Sequence, residues 1–375
     1  MRIAVNTRFL LKDKLEGIGW VSYELLRRMV AAHPEDEFLF FFDRAYAPEF
    51  IFGDNVQAIV LAPPARHPIL WFLWFEVALV RALKKYRAEV FLSPDGYCSL
   101  RTPTKTVMIT HDLAHLHFPD HIPFLVKKYY NYFVPRYLQR AEQIVSVSEF
   151  TKQDIIRQYK IAPAKIQVIP NACRADFIPL ESSEQEQVRA EYTGGQPYFF
   201  YLGAVHPRKN VPKLIKAFDQ FKKQNLSTTR LLIGGRFAWQ TGLVKTAYEA
   251  ATHQADIQFL GYLKDEEAAR LMASTRCFIY ISAFEGFGLP VLEAINCEVP
   301  VICSQVSSLP EVAGEAAILV DPYDLTAIAD AMQRLSSEAP LREALITQAK
   351  QQKLQFSWER SAAQLYDLLS RQVKS

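Results

Sequence analysis

Residues 277–296 read CFIYISAFEGFGLPVLEAIN. The opening run, Cys277 to Ser282, is apolar and of strand length. Pro290 then opens a helix, because its fixed φ and missing N–H suit the first helical positions. Between them, Gly286 and Gly288 let the backbone approach a ligand closely. Loop amides and a helix N-terminus together suit an anion such as a pyrophosphate. Glu285 precedes the glycine loop, and Glu293 follows eight residues later, in the first turn of the expected helix. Glu293 can accept from two vicinal hydroxyls, as a ribose presents, and Glu285 can reach a sugar on the far phosphate. The plainer alternative makes Glu293 a complement to the helix dipole and Glu285 a loop charge. The strand, the glycines and the proline in register favour a ligand site.

The same strand–loop–helix alternation runs in both directions from this segment. Expected strands lie near 1–6, 37–43, 88–94, 105–111, 143–148 and 166–170, then near 198–203, 230–235, 257–261, 277–282, 299–303 and 317–320. Expected helices lie near 18–32, 68–86, 122–140 and 151–159, then near 211–223, 241–253, 265–274, 290–296 and 324–337, with a last helical pattern over 341–372. Repeated βαβ units predict α/β architecture with parallel sheets. Residues 172–197 are polar, lack a strand and end in Gly-Gly-Gln-Pro, which reads as a linker. The expectation is therefore two doubly wound, Rossmann-like domains facing across a cleft, with a hinge near 172–195. The N-terminal domain is 1–172 and the C-terminal one 195–355. A terminal helix, 356–375, is expected to pack back on the N-terminal domain.

Composition narrows the function classes. The chain has 375 residues, more than one core usually serves. Its 43 Lys and Arg against 40 Asp and Glu give a net of +3, which argues against a nucleic-acid binder. Residues 1–178 carry the excess, 23 basic against 18 acidic. None of the five cysteines has metal-ligand spacing, and Cys277 and Cys303, inside apolar runs, read as small buried hydrophobes in a reducing compartment. The start, MRIAVN, reads as a strand rather than a leader, so the expected location is cytoplasmic. The most apolar stretch, Ile69 to Leu83, holds Glu76 and Arg81 and is too short to span a bilayer.

EGFGLPVLEA resembles the glutamate–seven–glutamate motif of retaining GT-B glycosyltransferases of the family 4, or group 1, type. FLGYLKDEEAARLMA (259–273) and PVICSQVSSLPEVAGEAAILVDPYD (300–324) resemble the segments on either side, so the likeness covers nearly the whole chain. It implies transfer from a nucleotide-diphosphate sugar with retention, and with neither metal nor cofactor. It implies that Glu285 contacts the donor sugar and Glu293 the ribose. The amides of Gly286, Phe287, Gly288 and Leu289 would meet the diphosphate or sugar. In YLGAVHPRKNVPKLIKAF (201–218), Arg208 and Lys209 can neutralise a diphosphate leaving group. Exposed surface charge is the alternative, and the resemblance favours function. Some members carry an arginine where this chain has Ala204, which shifts the burden to Arg208 and Lys209.

Further positions follow the same likeness. Gly234 and Gly235, in LLIGGR (231–236), follow a strand, and their loop lies by the nucleotide or they simply make the turn. Tyr262 and Leu263 resemble base-contacting positions, with a core role for Leu263 as the alternative. Gly17 and Gly19, in GIGWVSYELL (17–26), resemble the N-terminal loop on the diphosphate and acceptor side. They are not a dinucleotide fingerprint, because Ser22 stands at the third glycine position. ITHDLAHLHFPD (109–120) crowds His111, Asp112, His115 and His117 into one loop. Histidine clusters suggest metal, but the family's strand-end His-Asp contacts the donor sugar, and His111 matches it best. Ser148 or Thr151 is a plausible cap of the following helix.

GDP-mannose is the favoured donor, because LGAVHPRKN and ITHDLAHLHFPD resemble mannosyltransferases building bacterial surface polysaccharide. A UDP-hexose comes second. The acceptor is a saccharide or a lipid-linked one, and the latter would bring the chain to the inner face of a membrane. PFLVKKYYNYFVPRYLQR (123–140) is read as a two-sided helix with Leu125, Tyr129, Phe133 and Leu138 on the core and cations outward. Peripheral membrane contact is the other reading of that segment. The rival functions are a sugar-nucleotide epimerase and a catalytically inactive transferase-like partner subunit. A metal-dependent transferase fits poorly, since the acidic run Glu35-Asp36-Glu37 precedes a strand instead of following one.

Overall fold

In the run EFLFFF, Glu37 to Phe42, every position after the first is apolar, as a strand covered on both faces requires. It is β2 of a parallel sheet. The computed structural model describes residues 1–12, 15, 17–236 and 242–374. They divide into two units, Met1–Asn171 with the segment from Ser357 onward, and Ala172–Phe356.

In the first unit the strands are β1 (Arg2–Asn6), β2, β3 (Val56–Val60), β4 (Val90–Ser93), β5 (Lys105–Thr110), β6 (Gln143–Ser146) and β7 (Ile166–Val168). They pair in parallel in the order β3-β2-β1-β4-β5-β6-β7. β3 was not expected; its VQAIV is a half-exposed edge strand without a long apolar run. Trp74, Phe75, Leu79 and Leu83 bury one sheet face against Ala4, Leu39, Phe41 and Phe91. They come from the expected helix 68–86, which a π turn at Trp74–Ala78 interrupts. The other expected helices here stand at Ile18–Ala32, Phe124–Arg140 and Glu149–Tyr159. The last has Ser148 as its cap, its side chain accepting from the Thr151 amide. On Phe124–Arg140, Tyr129 and Leu138 are buried, but Leu125 is not; it stands 54% exposed. The helix starts at Phe124, so Leu125 sits in a first turn that does not reach the core.

The expected pattern over 341–372 is two helices, Ala339–Gln352 and Trp358–Lys374. The second packs on the first unit through Trp358, Leu365, Leu368 and Leu369. Tyr366 stacks on His33 with ring centroids 3.3 Å apart and donates to Asp36 at 2.5 Å.

In the second unit the strands are β8 (Tyr198–Leu202), β9 (Arg230–Gly234), β10 (Ile257–Gly261), β11 (Cys277–Tyr280), β12 (Val301–Ser304) and β13 (Ala317–Val320). Their order is β10-β9-β8-β11-β12-β13, all parallel. This is the doubly wound order, and it reverses between β8 and β11. Ligands in such sheets bind beyond the carboxyl ends of the strands at that reversal. Position 241, where a helix was expected to begin, lies outside the described residues; the helix there runs Gly242–Glu249.

The expected linker differs. Residues 172–197 fold with the second unit and contain a helix, Ser182–Thr193. Glu181 and Glu184 form a capping box at its start, and Gly194 closes it in the left-handed region at φ 62°. Only Val188 and Thr193 are buried on it, so its sequence carries almost no apolar stripe.

Candidate active site

Three loops leave the carboxyl edge of the second sheet side by side. The Gly203 amide donates to Gly234 O at 3.0 Å, and the Gly235 amide to Gly261 O at 2.7 Å. Gly235 has φ +131°, and a Cβ there would lie 1.9 Å from Gly203 O. The two backbones touch because neither residue carries a side chain. Gly234 holds this floor too, since a Cβ on it would meet Leu263 Cδ1 at 2.7 Å. Leu263 is buried under the loop, while its neighbour Tyr262 is 68% exposed.

The loop after β8 and the loop after β11 meet at the sheet reversal. His206 starts a short turn whose last residues are Arg208 and Lys209. The Ala283 amide donates to Arg208 O at 2.9 Å, and Ser282 Oγ donates to the same oxygen at 3.2 Å. The two loops are thus tied, and the cations are brought onto Glu285. Lys209 Nζ lies 2.6 Å from Glu285 Oε1, and an Arg208 guanidinium nitrogen 3.1 Å from Oε2. Tyr280 donates to Oε1 at 3.1 Å and also accepts from Lys209. Arg208 further donates to Phe284 O. Burial alone would raise the Glu285 carboxyl, yet Lys209 and Arg208 outweigh it and hold it down at about 2. The group is therefore an ionised carboxylate clamped by two cations, only 7% exposed.

Beyond Glu285 the chain turns through Gly286, Phe287 and Gly288 into the helix Leu289–Asn296. Gly288, at φ +104°, is its N-cap residue, and a Cβ there would strike Leu309 Cδ2 at 2.5 Å. Ser308 Oγ donates to Glu285 O at 3.0 Å and Phe287 O at 2.8 Å, and the Glu285 amide donates to Ser307 Oγ at 3.1 Å. The Phe287 ring is buried against Phe356, so only its backbone is available to a ligand. Pro290 is the second helical residue, and Glu293 the fifth. Glu293 thus lies in the second turn and not, as expected, the first. That placement removes the dipole-complement alternative.

Glu293 has a partner that the sequence reading missed. Arg174 donates through Nε to Glu293 Oε1 at 2.9 Å, and through a terminal nitrogen to Asp265 Oδ1 at 2.6 Å. Its guanidinium carbon sits 4.6 Å from the centre of the Phe177 ring. Burial opposes the Arg174 charge, but Glu293 and Asp265 outweigh it and raise its pKa.

In the first unit, His111 follows β5, and its Nε2 lies 2.7 Å from Pro94 O. A carbonyl partner requires that nitrogen to donate. Burial pushes the His111 pKa down, which favours the neutral ring, and its Nε2 proton is committed to Pro94. The His111 carbonyl accepts from Thr151 Oγ1 at 3.4 Å. The crowded histidines take separate partners: His117 Nε2 meets Asp154 at 2.7 Å and His115 Nε2 meets Tyr159 at 3.1 Å. Burial pushes His115 down to about 4. Among the described residues, metal-ligating groups converge only at His33, Glu35 and Asp36. There Asp36 already takes the N-terminal ammonium and Tyr366. Gly17 caps the helix Ile18–Ala32, and Gly19 lies inside its first turn, where a Cβ would come 2.7 Å from Phe9 O. Sequence reasoning also missed the buried pair after β1 and β4, in which Arg8 meets Asp95 at 2.6 Å and its guanidinium carbon lies 4.8 Å from the ring centres of both Phe75 and Tyr97.

A doubly wound unit with a carboxylate clamped by two cations at its sheet reversal, beside a glycine loop and helix N-terminus, suits an enzyme that handles a diphosphate ester. Comparison with known proteins narrows the class. The model for glycosyl transferases group 1 matches residues 182–352, and that for glycosyltransferase family 4 matches residues 15–177. O-antigen chain mannosyltransferase B of Escherichia coli is 31% identical over 365 residues, covering 94% of this chain and 96% of that protein. O-antigen chain mannosyltransferase RfbU of Salmonella typhimurium is 26% identical over 260 residues, 68% of each. Sucrose-phosphate synthase of Thermosynechococcus elongatus shares the fold at TM-score 0.79 and 18% identity, covering 99% and 98% of the two chains. The chain belongs to the group 1, family 4 glycosyltransferases, and it is a glycosyltransferase with the GT-B fold.

Proposed function

We propose that the chain transfers mannose from GDP-mannose to a saccharide or lipid-linked acceptor during assembly of a surface polysaccharide, with retention and without a metal ion. A UDP-hexose is the second choice of donor. The relatives named as O-antigen mannosyltransferases support the sugar and the pathway class. The observation that carries the mechanism is the Arg208–Glu285–Lys209 cluster. Its two cations supply, from side chains alone, charge to stabilise a departing diphosphate. Glu293 would hold the ribose, Tyr262 would border the base, and the backbone of 286–289 would meet the diphosphate. The acceptor hydroxyl attacks the anomeric carbon from the leaving-group face. The new C–O bond forms as the bond to the diphosphate breaks, and the hydroxyl proton passes to the released diphosphate.

The test is thermal stability against UDP-, GDP-, ADP- and CDP-sugars, with wild type beside Glu293→Ala. A ligand bound only by the folded state raises the midpoint. GDP-mannose is expected to stabilise wild type and not the variant, and proton NMR of the product to show the donor's α configuration kept, with EDTA present. Stabilisation by no nucleotide sugar, or an inverted product, overturns the reading.

A lipid-linked acceptor places the first unit at a membrane's cytoplasmic face. No described helix is long and apolar enough to cross a membrane. Phe124, Leu125 and Tyr132 are each more than half exposed on the helix that also carries Lys127, Lys128 and Arg136. Apolar side chains interleaved with cations suit an anionic bilayer surface. The chain is expected to float with phosphatidylglycerol vesicles at low salt, and Phe124→Ser/Leu125→Ser to float less. A wild type that stays at the bottom of the gradient sinks the membrane reading.

A further inference from the structure

The strands of the second sheet are parallel, so their amino ends lie at the edge opposite Glu285. Arg276 immediately precedes β11 there, and Pro197 and Pro300 precede β8 and β12. A cavity of about 450 Å³ opens at this edge, and Arg189, Arg276 and Arg342 line it. They arrive from three elements: the helix Ser182–Thr193, the start of β11 and the helix Ala339–Gln352.

Their partners are neutral. Arg189 donates to Ser274 O at 3.4 Å and Gln185 Oε1 at 3.5 Å. Arg276 donates to Ser336 O at 3.2 Å, and Arg342 to Leu335 O and Ser336 O at 3.0 and 3.3 Å. These contacts cap the carboxyl ends of two helices, which explains one nitrogen of each guanidinium. They do not explain why three cations share one cavity without an ion pair among the described residues. Each guanidinium has five N–H donors, and Arg276 Nε is shut off from water with no acceptor among the described residues. Of the carboxylates in the lining, Glu298 is already taken by Lys353 at 2.7 Å and Lys350 at 3.4 Å, and Glu343 is exposed. Burial, and the repulsion of Arg276 by Arg342 and by Arg189, lower the Arg276 pKa, as expected where positive charge lacks a counter-ion.

We propose that this cavity is a second anion site, separate from the donor site, that takes a small phosphorylated molecule with its phosphate between Arg189, Arg276 and Arg342. Guanidinium groups grip phosphate oxygens through paired N–H donors. The volume falls in the range that holds a small organic ligand, so a sugar-sized body attached to the phosphate fits as well.

The experiment measures the thermal midpoint of the full chain in inorganic phosphate against chloride of equal ionic strength. Wild type is expected to gain about 2 °C or more near saturation. Lys209→Gln is expected to keep that gain, because its change lies at the donor site. Arg276→Gln/Arg342→Gln is expected to lose it, with circular dichroism confirming the fold. Arg189→Gln, on a surface helix, covers the case in which the double variant does not fold; calorimetry should show phosphate bound several-fold more weakly. The proposal is overturned if wild type responds to phosphate no more than to chloride. It is also overturned if Arg189→Gln binds as wild type does, or if Lys209→Gln alone abolishes the gain.

Discussion

Glu285→Gln is expected to lower kcat/KM for sugar transfer by about 10²–10³, with the fold retained. Glutamine keeps the shape of the side chain and removes its charge. In the wild type that charge sits between Lys209 at 2.6 Å and Arg208 at 3.1 Å, in a site largely closed to water. Without it the two cations repel each other and lose the anchor that sets their positions. A group aimed at developing charge is worth roughly 3–4 kcal/mol of transition-state stabilisation, and misplacement of its neighbours adds to the loss. Steady-state kinetics beside the thermal midpoint decide it: a variant within threefold of wild type removes Glu285 from the mechanism. The same group predicts a pH dependence of stability. Its folded pKa, about 2, lies below its ordinary 4.5. Its stabilisation, roughly 3 kcal/mol, is therefore fully present above pH 4.5 and is lost as the pH falls from there toward 2. The midpoint difference between wild type and Glu285→Gln is expected to narrow across that window and stay flat above it.

The parts of this site that were legible in the sequence share one property: they lie within a single strand–loop–helix unit. Glu285, Gly286 and Gly288 are read from spacing because the strand before them and the proline after them fix their local geometry. Arg208 and Lys209 follow a strand by the same logic. Arg174 could not be found that way. It sits in a polar stretch with no periodicity, and the glutamate it holds is 119 positions away. Tyr280 was invisible for the opposite reason, since a tyrosine in an apolar strand reads as core, and only the fold turns its hydroxyl onto Glu285. The helix Ser182–Thr193 escaped because its signals are a capping box and a C-terminal glycine, and hydrophobic periodicity carries no trace of it. Leu125 was misassigned because a helical stripe predicts which face is apolar, not where along the helix the core ends.

Arg174→Ala is expected to weaken donor binding and stability together, and a double variant separates the two effects. Glu293 is 3% exposed, and Arg174 is the cation that meets it directly. Removing one partner of a buried pair leaves the other charge uncompensated, which costs about 3–5 kcal/mol in well-buried cases. The Asp265 side chain is 41% exposed, so the loss of its contact adds little. Most of the destabilisation should therefore pass through Glu293. It follows that Arg174→Ala/Glu293→Ala is more stable than Arg174→Ala alone, because the stranded carboxylate is gone. Donor affinity behaves differently. On the ribose reading Glu293 receives the sugar hydroxyls while Oε1 stays on Arg174, so losing either residue raises KM for the donor about tenfold or more, and the double variant recovers none of it. Arg174→Lys restores the charge but not the two-pronged contact to Glu293 and Asp265, so it should recover part of the stability and less of the affinity. If the double variant is no more stable than Arg174→Ala, the arginine acts through its stacking on Phe177 and not through Glu293.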